Sequence, residues 1–151
     1  MLIRLVWVGR TRNRAAAAWI EEYRRRIARS CPVEIIEIKD AAGKGQDRAK
    51  RESQALLRKL TGRGLVVILD EGGKELTSRE LAGFLEKTLA RRSEVNFVLG
   101  GPEGLGSGLL AAAGARLSLS RLTLTHEMAR IVLVEQIYRA FGILRGTPYH
   151  R

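Results

Sequence analysis

Three segments of the sequence place glycine, hydroxyl or charged residues directly after short apolar runs that have the character of β-strands. The pair Gly100 and Gly101 follows the run 95–99, the segment 70–74 (DEGGK) follows 65–69, and the segment 118–124 (SLSRLTL) follows Leu117. In open α/β sheets, ligands bind beyond the carboxyl ends of the strands. The three segments therefore predict one binding site at the carboxyl edge of a sheet.

The glycine-rich segment FVLGGPEGLGSG (97–108) lacks the pattern of a phosphate-binding loop. A P-loop needs a lysine after its last glycine, and a dinucleotide fingerprint needs a third glycine where this chain has Leu109. Glu103 adds a negative charge, and Pro102 removes one N–H that a phosphate could use. Two interpretations stay open. The segment is a tight turn between strand and helix, or Gly100 and Gly101 form a bare main-chain wall for a flat, unphosphorylated ligand.

Candidate catalytic residues lie between positions 126 and 139. Glu135 and Arg139 are four residues apart. They form either a helix ion pair or a site in which Glu135 holds an arginine, its own or that of a second subunit. In the second case Arg139 would stabilise an anion or a phosphate. His126 opens the same predicted helix beside the segment 118–124, as a structural residue or as a catalytic one.

The chain ends on an aromatic residue, a histidine and an arginine, which is an unusual ending for a tail that does nothing. Chain ends generally fray, so this ending predicts contact with a substrate. Tyr149 could stack on a base with His150 beside it, and Arg145 or Arg151 could bind phosphate. The alternative is simple packing or disorder of the tail.

Strand-like and helix-like patterns alternate along the whole chain. They predict an α/β fold, with a largely parallel sheet flanked by helices, in one domain over 1–151. Thr77 and Glu80 have the spacing of a capping box. Trp7 and Trp19 are expected in the core, and Cys31 as a small apolar filler. The predicted strands are Leu2–Val8, Val33–Ile38, 65–69, 95–99 and 117–119. The predicted helices are 13–30, 47–61, 109–113 and 126–141, together with one that follows the capping box and carries Leu81, Phe84, Leu85 and Leu89 inward.

The net charge of +11 indicates a polyanionic partner. The first 64 residues contribute most of it, with 16 Lys and Arg against 7 Asp and Glu. Basic residues on and before the first helix are candidates for contact with nucleic acid backbone, which gives affinity without sequence choice. The alternative is a solvated basic surface. The candidates are Arg10, Arg12, Arg14, Arg24 and Arg25.

Several classes of protein are disfavoured by what the sequence lacks. No run of about 18 apolar residues indicates a membrane span, and residues 1–5 lack the pattern of a signal peptide. Cys31 is the single cysteine and there are two histidines, so neither an internal disulfide nor a zinc site is expected. We therefore expect a cytoplasmic protein without a metal.

Four segments together resemble one family, the SPOUT-class (α/β-knot) RNA methyltransferases that act on N3 of a pseudouridine in large-subunit ribosomal RNA. They are FVLGGPEGL (97–105), LSLSRLTLTHEMAR (117–130), EQIYRAF (135–141) and PYHR (148–151). The segments LDEGGKELTS (69–78) and IRLVWVGR (3–10) are similar as well, so the resemblance covers the whole chain. The family usually has proline before His126, where this chain has Thr125, a residue that caps helices well.

The resemblance implies a C-terminal trefoil knot that binds S-adenosylmethionine, and a homodimer with each active site near the subunit boundary. It implies the assembled ribosome as substrate. By motif matching, the cofactor residues would be Leu69, Gly100, Gly101, Leu119, Ser120, Arg121, Leu122, Thr123 and Leu124. The alternative function is a basic α/β factor that binds RNA or assists ribosome assembly without catalysis.

Overall fold

The computed structural model describes residues 1–60 and 62–150, apart from the side chain of His150. Thr61 and Arg151 lie outside the described residues. The same holds for the side-chain contacts predicted for His150, for the RNA contact predicted for Arg151, and for the predicted end of the second helix at position 61.

Strands and helices alternate along the described residues, as the sequence predicts. A 3₁₀ turn at Pro148–His150 follows the last helix. The strands are β1 (Leu2–Val8), β2 (Val33–Ile38), β3 (Leu65–Glu75), β4 (Glu94–Leu99) and β5 (Ala115–Ser118), and the helices are α1 (Arg14–Ala28), α2 (Gly45–Arg58), α3 (Ser78–Arg91), α4 (Ser107–Ala112) and α5 (His126–Leu144).

The five strands described form one parallel sheet in the order β2-β1-β4-β3-β5. Helices α1, α3 and α5 pack on one face of this sheet, where Trp7, Phe97 and Ile137 are buried in the larger core cluster. Helices α2 and α4 cover the other face through Leu56 and Leu109. This α/β arrangement confirms the predicted fold class. Within the described residues, no helix is long and apolar enough to span a bilayer.

Side chains cap three of the helices at their first turn. The Asn13 side chain accepts from the N–H of Ala16 at the start of α1. Thr77 and Glu80 form the predicted capping box of α3. Thr125 accepts from the N–H of Met128, so it starts α5 without the proline that the family usually has. These caps fix where each helix begins relative to the strand before it.

Strand β3 is longer than the sequence predicts, because the expected turn at 70–74 belongs to it. Leu117 of β5 pairs first with Leu69 and then with Lys74, so the residues between them bulge out of the ladder. Gly73 allows this, since a Cβ there would lie 2.5 Å from the carbonyl carbon of Leu117. The sequence indicates a turn at this point because DEGGK has turn composition. The pairing partner is 43 positions away along the chain, and local composition cannot show it.

The prediction that Trp19 lies in the core is wrong, whereas Trp7 is buried as expected. Trp19 is 52% exposed and stacks on Tyr23, with 5.8 Å between ring centroids. It lies at the border of the apolar stripe of α1, whose centre is formed by Ile20 and Ile27. Cys31 is fully buried, in agreement with its expected role as a filler.

Replacing Gly73 with alanine is expected to lower the free energy of unfolding by about 1–3 kcal/mol, because the new Cβ would overlap the main chain of Leu117. The matched control is Gly72→Ala, whose Cβ would make ordinary contacts of 3.7 Å with Arg116 and Asp70. Urea unfolding of both variants measures the difference. Equal stability of the two variants would contradict the close packing of β3 on β5.

Candidate functional site

A cavity of about 600 Å³ opens at the carboxyl ends of β3, β4 and β5. All three segments singled out from the sequence contribute to its wall, together with the first turn of α5. Eight of the nine residues that the resemblance assigns to the cofactor line it: Leu69, Gly100, Gly101, Leu119, Ser120, Leu122, Thr123 and Leu124. The strand-end argument and the family motifs therefore lead to the same place in the structure.

The glycine segment after β4 is a tight turn that also forms part of the cavity wall. The N–H of Gly104 donates to the carbonyl of Gly101 over 3.1 Å, and Gly104 has a φ of +85°. A Cβ at Gly100 would lie 2.5 Å from Cδ2 of Leu105. Glycine at position 100 therefore leaves room for Leu105 to pack against the turn, and the main chain it exposes lines the cavity.

Helix α2 supports this turn from behind. The N–H of Gly106 donates to Ser53 Oγ over 2.6 Å. The carboxylate of Glu52, which is buried, lies where a Cβ of Gly101 would be. Glu52 also accepts from the N–H of Ala41 and from Arg48 Nε. A buried carboxylate thus connects the segment after β2 with the turn after β4.

The segment between β5 and α5 forms part of the cavity wall, and hydrogen bonds from its own serine hydroxyls stabilise it. Ser118 Oγ donates to the carbonyl of Ser120 over 3.0 Å, and Ser120 Oγ accepts from the N–H of Leu122 over 2.9 Å. His126 and Ala129, on the first turn of α5, complete the wall. This places His126 in the cavity, where the sequence analysis left its role open.

Arg121 is the exception among the predicted cofactor residues. Its side chain is 85% exposed and forms an ion pair with Glu75, at 2.8 Å. It does not occur among the described residues that line the cavity, and neither does Glu103, which is exposed on the turn after β4. Arg121 therefore joins the segment between β5 and α5 to the end of β3.

Charged groups also line the cavity, and one of them, Arg116, was not singled out from the sequence. Asp70 and Glu71 extend from β3, and Arg116 projects from β5. Arg116 Nη2 and Asp70 Oδ2 form an ion pair. The segment DEGGK (70–74) indicated Asp70, but an arginine within a short strand gave no signal for Arg116.

Two residues of α5 that the sequence analysis missed attach its N-terminal turn to the segment after β1. Arg130 is 4% exposed and donates to the carbonyl of Val8 and to Thr11 Oγ1. Burial lowers the pKa of Arg130, which the nearby carboxylate of Glu37 partly offsets. Glu127 accepts from the N–H groups of Arg12 and Asn13, and these bonds lower the pKa of Glu127.

A second cluster joins the other candidate residues near the far end of α5. Arg139 and Glu135 form the predicted ion pair at 2.6 Å. Tyr149 donates its hydroxyl to Glu135 over 3.2 Å, and the hydroxyls of Tyr149 and Tyr23 are 3.0 Å apart. Burial is the main cause that raises the pKa of Tyr149, and Tyr23 and Glu135 add to it. The tail is therefore packed against α1 and α5 at Tyr149.

The two groups of candidate residues are separated within one chain. Glu135 follows His126 by nine positions and Arg139 by thirteen, on one continuous helix. At 1.5 Å per residue these positions are about 14 and 20 Å further along the axis. The structure brings together Glu135, Arg139 and Tyr149, but it does not bring them to His126.

The described arginines that are expected to contact RNA lie on the surface, but ion pairs offset part of their positive charge. Arg24 pairs with Glu21, and Arg25 with Glu22, on their own helix. Arg10, Arg12, Arg14 and Arg145 are exposed. The basic face of α1 is therefore partly neutralised.

The fold and the cavity define a class of α/β protein with a cavity of small-molecule size between strand-end segments, without a phosphate loop. Among residues 1–60 and 62–150, no group of three or more His, Cys, Asp or Glu could hold a metal ion. The family described as "Predicted SPOUT methyltransferase" matches residues 1–150. The chain belongs to the SPOUT methyltransferase family, as the motifs predicted.

Similar proteins from several bacteria carry the name "Ribosomal RNA large subunit methyltransferase H". The chain is 46% identical to that of Anaeromyxobacter dehalogenans (strain 2CP-C), with 100% of both chains covered. It is 41% identical to that of Geobacter sp. (strain M21), with 99% of both covered, and 35% identical to that of Clostridium beijerinckii, with 100% of both covered. A solved structure described as "Crystal structure of an hypothetical protein" matches with a TM-score of 0.57 at 14% identity. It covers 95% of this chain and 81% of the other, which supports the fold alone.

The cluster around Tyr149 predicts a late-titrating phenol. The raised pKa of Tyr149 means that one of the three tyrosines should ionise well above the ordinary pKa of about 10. Because the pKa is higher in the folded state, its contribution to stability is complete below about pH 10 and is lost as the pH rises through the folded pKa. Phenolate absorbance during an alkaline titration measures this.

Tyr149→Phe should remove the late-titrating component, and urea-unfolded protein should titrate in a single step near the ordinary value. A late component that persists in Tyr149→Phe would contradict the assignment.

Proposed function

We propose that this chain methylates N3 of a pseudouridine in large-subunit ribosomal RNA, on the assembled ribosome, with S-adenosylmethionine as methyl donor. The observation that carries the proposal is the convergence at the cavity. All residues that the family motifs assign to the cofactor line it, apart from Arg121. The names of the relatives support ribosomal RNA of the large subunit as the substrate.

The residues of the cavity fit S-adenosylmethionine. The volume of about 600 Å³ lies within the usual range for small-molecule sites, about 300–1,000 Å³. Leu119, Leu122 and Leu124 offer apolar surface for a flat adenine ring, and the main chain at Gly100 and Gly101 offers polar groups at close range. When bound, the cofactor supplies a methyl group on a positively charged sulfur.

Positioning accounts for most of the catalysis that these residues would supply, since methyl transfer is a single displacement that needs the two reactants in line. His126 faces the cavity and would hold or accept the N3 proton of the base. Arg139 would stabilise the uracil anion, and Tyr149 would stack on the base. Glu135 keeps Arg139 in place through the bonds already described.

The distance along α5 between the two groups supports a homodimeric enzyme. In such a dimer, the cluster of Arg139 and Tyr149 of one subunit would meet the cavity of its partner. Apolar exposure supports this as well, because Trp19, Leu122 and Met128 are exposed large apolar residues.

The course of the chain after β5 supports the trefoil knot. From the edge strand β5 the chain passes over the carboxyl ends of β3 and β4, and α5 then attaches to the segment after β1 through Glu127 and Arg130.

We also propose a single domain over 1–151 that acts in the cytoplasm, where ribosomes are. The arginines of the N-terminal region would hold RNA phosphates there.

Methyl transfer from radiolabelled S-adenosylmethionine tests the function directly. We expect saturable cofactor binding by calorimetry and label transfer to intact ribosomes that exceeds transfer to free subunits. Ribosomes from a strain that lacks the corresponding methylation provide the substrate. Absence of cofactor binding by the folded protein would contradict the proposal and favour a non-catalytic RNA-binding factor.

Gly100→Val is expected to weaken cofactor binding about tenfold or more, because its branched side chain would displace Leu105, which lines the cavity. The matched control is Gly108→Ala in α4, where a Cβ would make an ordinary contact of 3.6 Å with Leu57. Calorimetry measures both variants after circular dichroism confirms their fold. Normal affinity in Gly100→Val would refute the assignment of the cavity as the cofactor site.

A further inference from the structure

We propose that the ion pair of Asp70 and Arg116 is the subsite for the amino-acid end of the methyl donor. The Arg116 guanidinium binds the α-carboxylate, and the Asp70 carboxylate binds the α-ammonium group. This inference rests on the proposed function, and it assigns one end of the cavity to one part of the ligand.

The sheet places the two side chains together on the cavity side. Arg116 of β5 stands opposite Ile68 of β3, and Asp70 follows Ile68 by two residues. Side chains two positions apart on a strand point to the same face. Ile68 belongs to the core cluster beneath α2 and α4, so Arg116 and Asp70 continue that face to the edge where the cavity opens.

The pair is exposed enough to meet a ligand and is not a closed structural contact. The side chain of Arg116 is 49% exposed and that of Asp70 is 28% exposed. They are joined through Nη2 and Oδ2. No hydrogen bond to any described residue occupies Nε or Nη1 of Arg116, or Oδ1 of Asp70. Gly72 has no side chain that could cover the pair, although a Cβ there would be only 3.7 Å from both partners.

The charge of the cavity wall fits a zwitterion better than a simple anion. Among the described residues that line the cavity, Arg116 is the one lysine or arginine, whereas Asp70 and Glu71 are both acidic. An α-carboxylate suits the fork of a guanidinium, and an α-ammonium suits a carboxylate. Such a pair of opposite charges, fixed side by side, matches the two charges on the α-carbon of an amino acid.

The test compares two ligands that share the nucleoside thioether and differ in whether the amino-acid group is present. S-adenosylhomocysteine carries the zwitterion, and 5′-methylthioadenosine carries the same nucleoside thioether without it. We expect the protein to bind S-adenosylhomocysteine more tightly. Arg116→Met should weaken that binding about tenfold, as expected for loss of a charged hydrogen bond, and should leave the affinity for 5′-methylthioadenosine unchanged.

Asp70→Asn keeps the shape of the side chain and should likewise reduce the preference for S-adenosylhomocysteine, which keeps the proposal testable if Arg116→Met folds poorly. The matched control is Glu22→Gln, which breaks the ion pair between Glu22 and Arg25 on α1, outside the cavity. The control should leave both affinities unchanged.

Three outcomes decide the question. Loss of preference in both cavity variants, with the control unchanged, supports the subsite. Equal weakening of both ligands, or an unchanged preference, overturns the subsite and leaves the proposed function intact, because the ligands still bind. Failure of the unaltered protein to bind either ligand would overturn the proposed function itself.

Discussion

The buried guanidinium of Arg130 is the interaction on which the site depends most. It lies on α5, yet it donates hydrogen bonds to Val8 at the end of β1 and to Thr11 just after it, more than a hundred positions earlier. Removing a charge from water is costly unless bonds and countercharges replace the lost hydration. Here the carbonyl of Val8, the hydroxyl of Thr11 and the ring face of Trp7 provide those contacts, with the carboxylate of Glu37 at 3.8 Å.

The contacts of Arg130 hold the start of α5 in place, and this part of the helix also carries His126 and Ala129, which line the cavity. Glu127 adds a second attachment by binding the main chain at Arg12 and Asn13. The start of α5 is therefore held by the guanidinium of Arg130 and by the carboxylate of Glu127. The first turn of α5, which forms one wall of the cavity, is thus held in place by residues at the end of β1 and just after it.

The sequence predicted most of the elements, since strands, helices and caps follow from local patterns such as Thr77 with Glu80. It did not predict contacts that depend on the order of strands. The extension of β3 exists because β5 pairs with it, and Arg116 reaches the cavity for the same reason. The residues proposed for the cofactor came from family motifs, and eight of the nine line one cavity. Such motifs carry three-dimensional information that composition and periodicity lack. Trp19 was mispredicted because a helix border position can pack on a neighbouring ring instead of the core.

The two clusters on α5 place a geometric condition on the proposed chemistry. A continuous helix cannot bring His126 and Arg139 together, because about 20 Å of its length separates them. Within one chain, Arg139 is paired with Glu135 and in contact with the ring of Tyr149, at 5.0 Å from its centroid. The cluster is thus already ordered before any substrate binds, which lowers the entropic cost of presenting it to a base. In the proposed homodimer, this cluster would meet the cavity of the second copy of the chain.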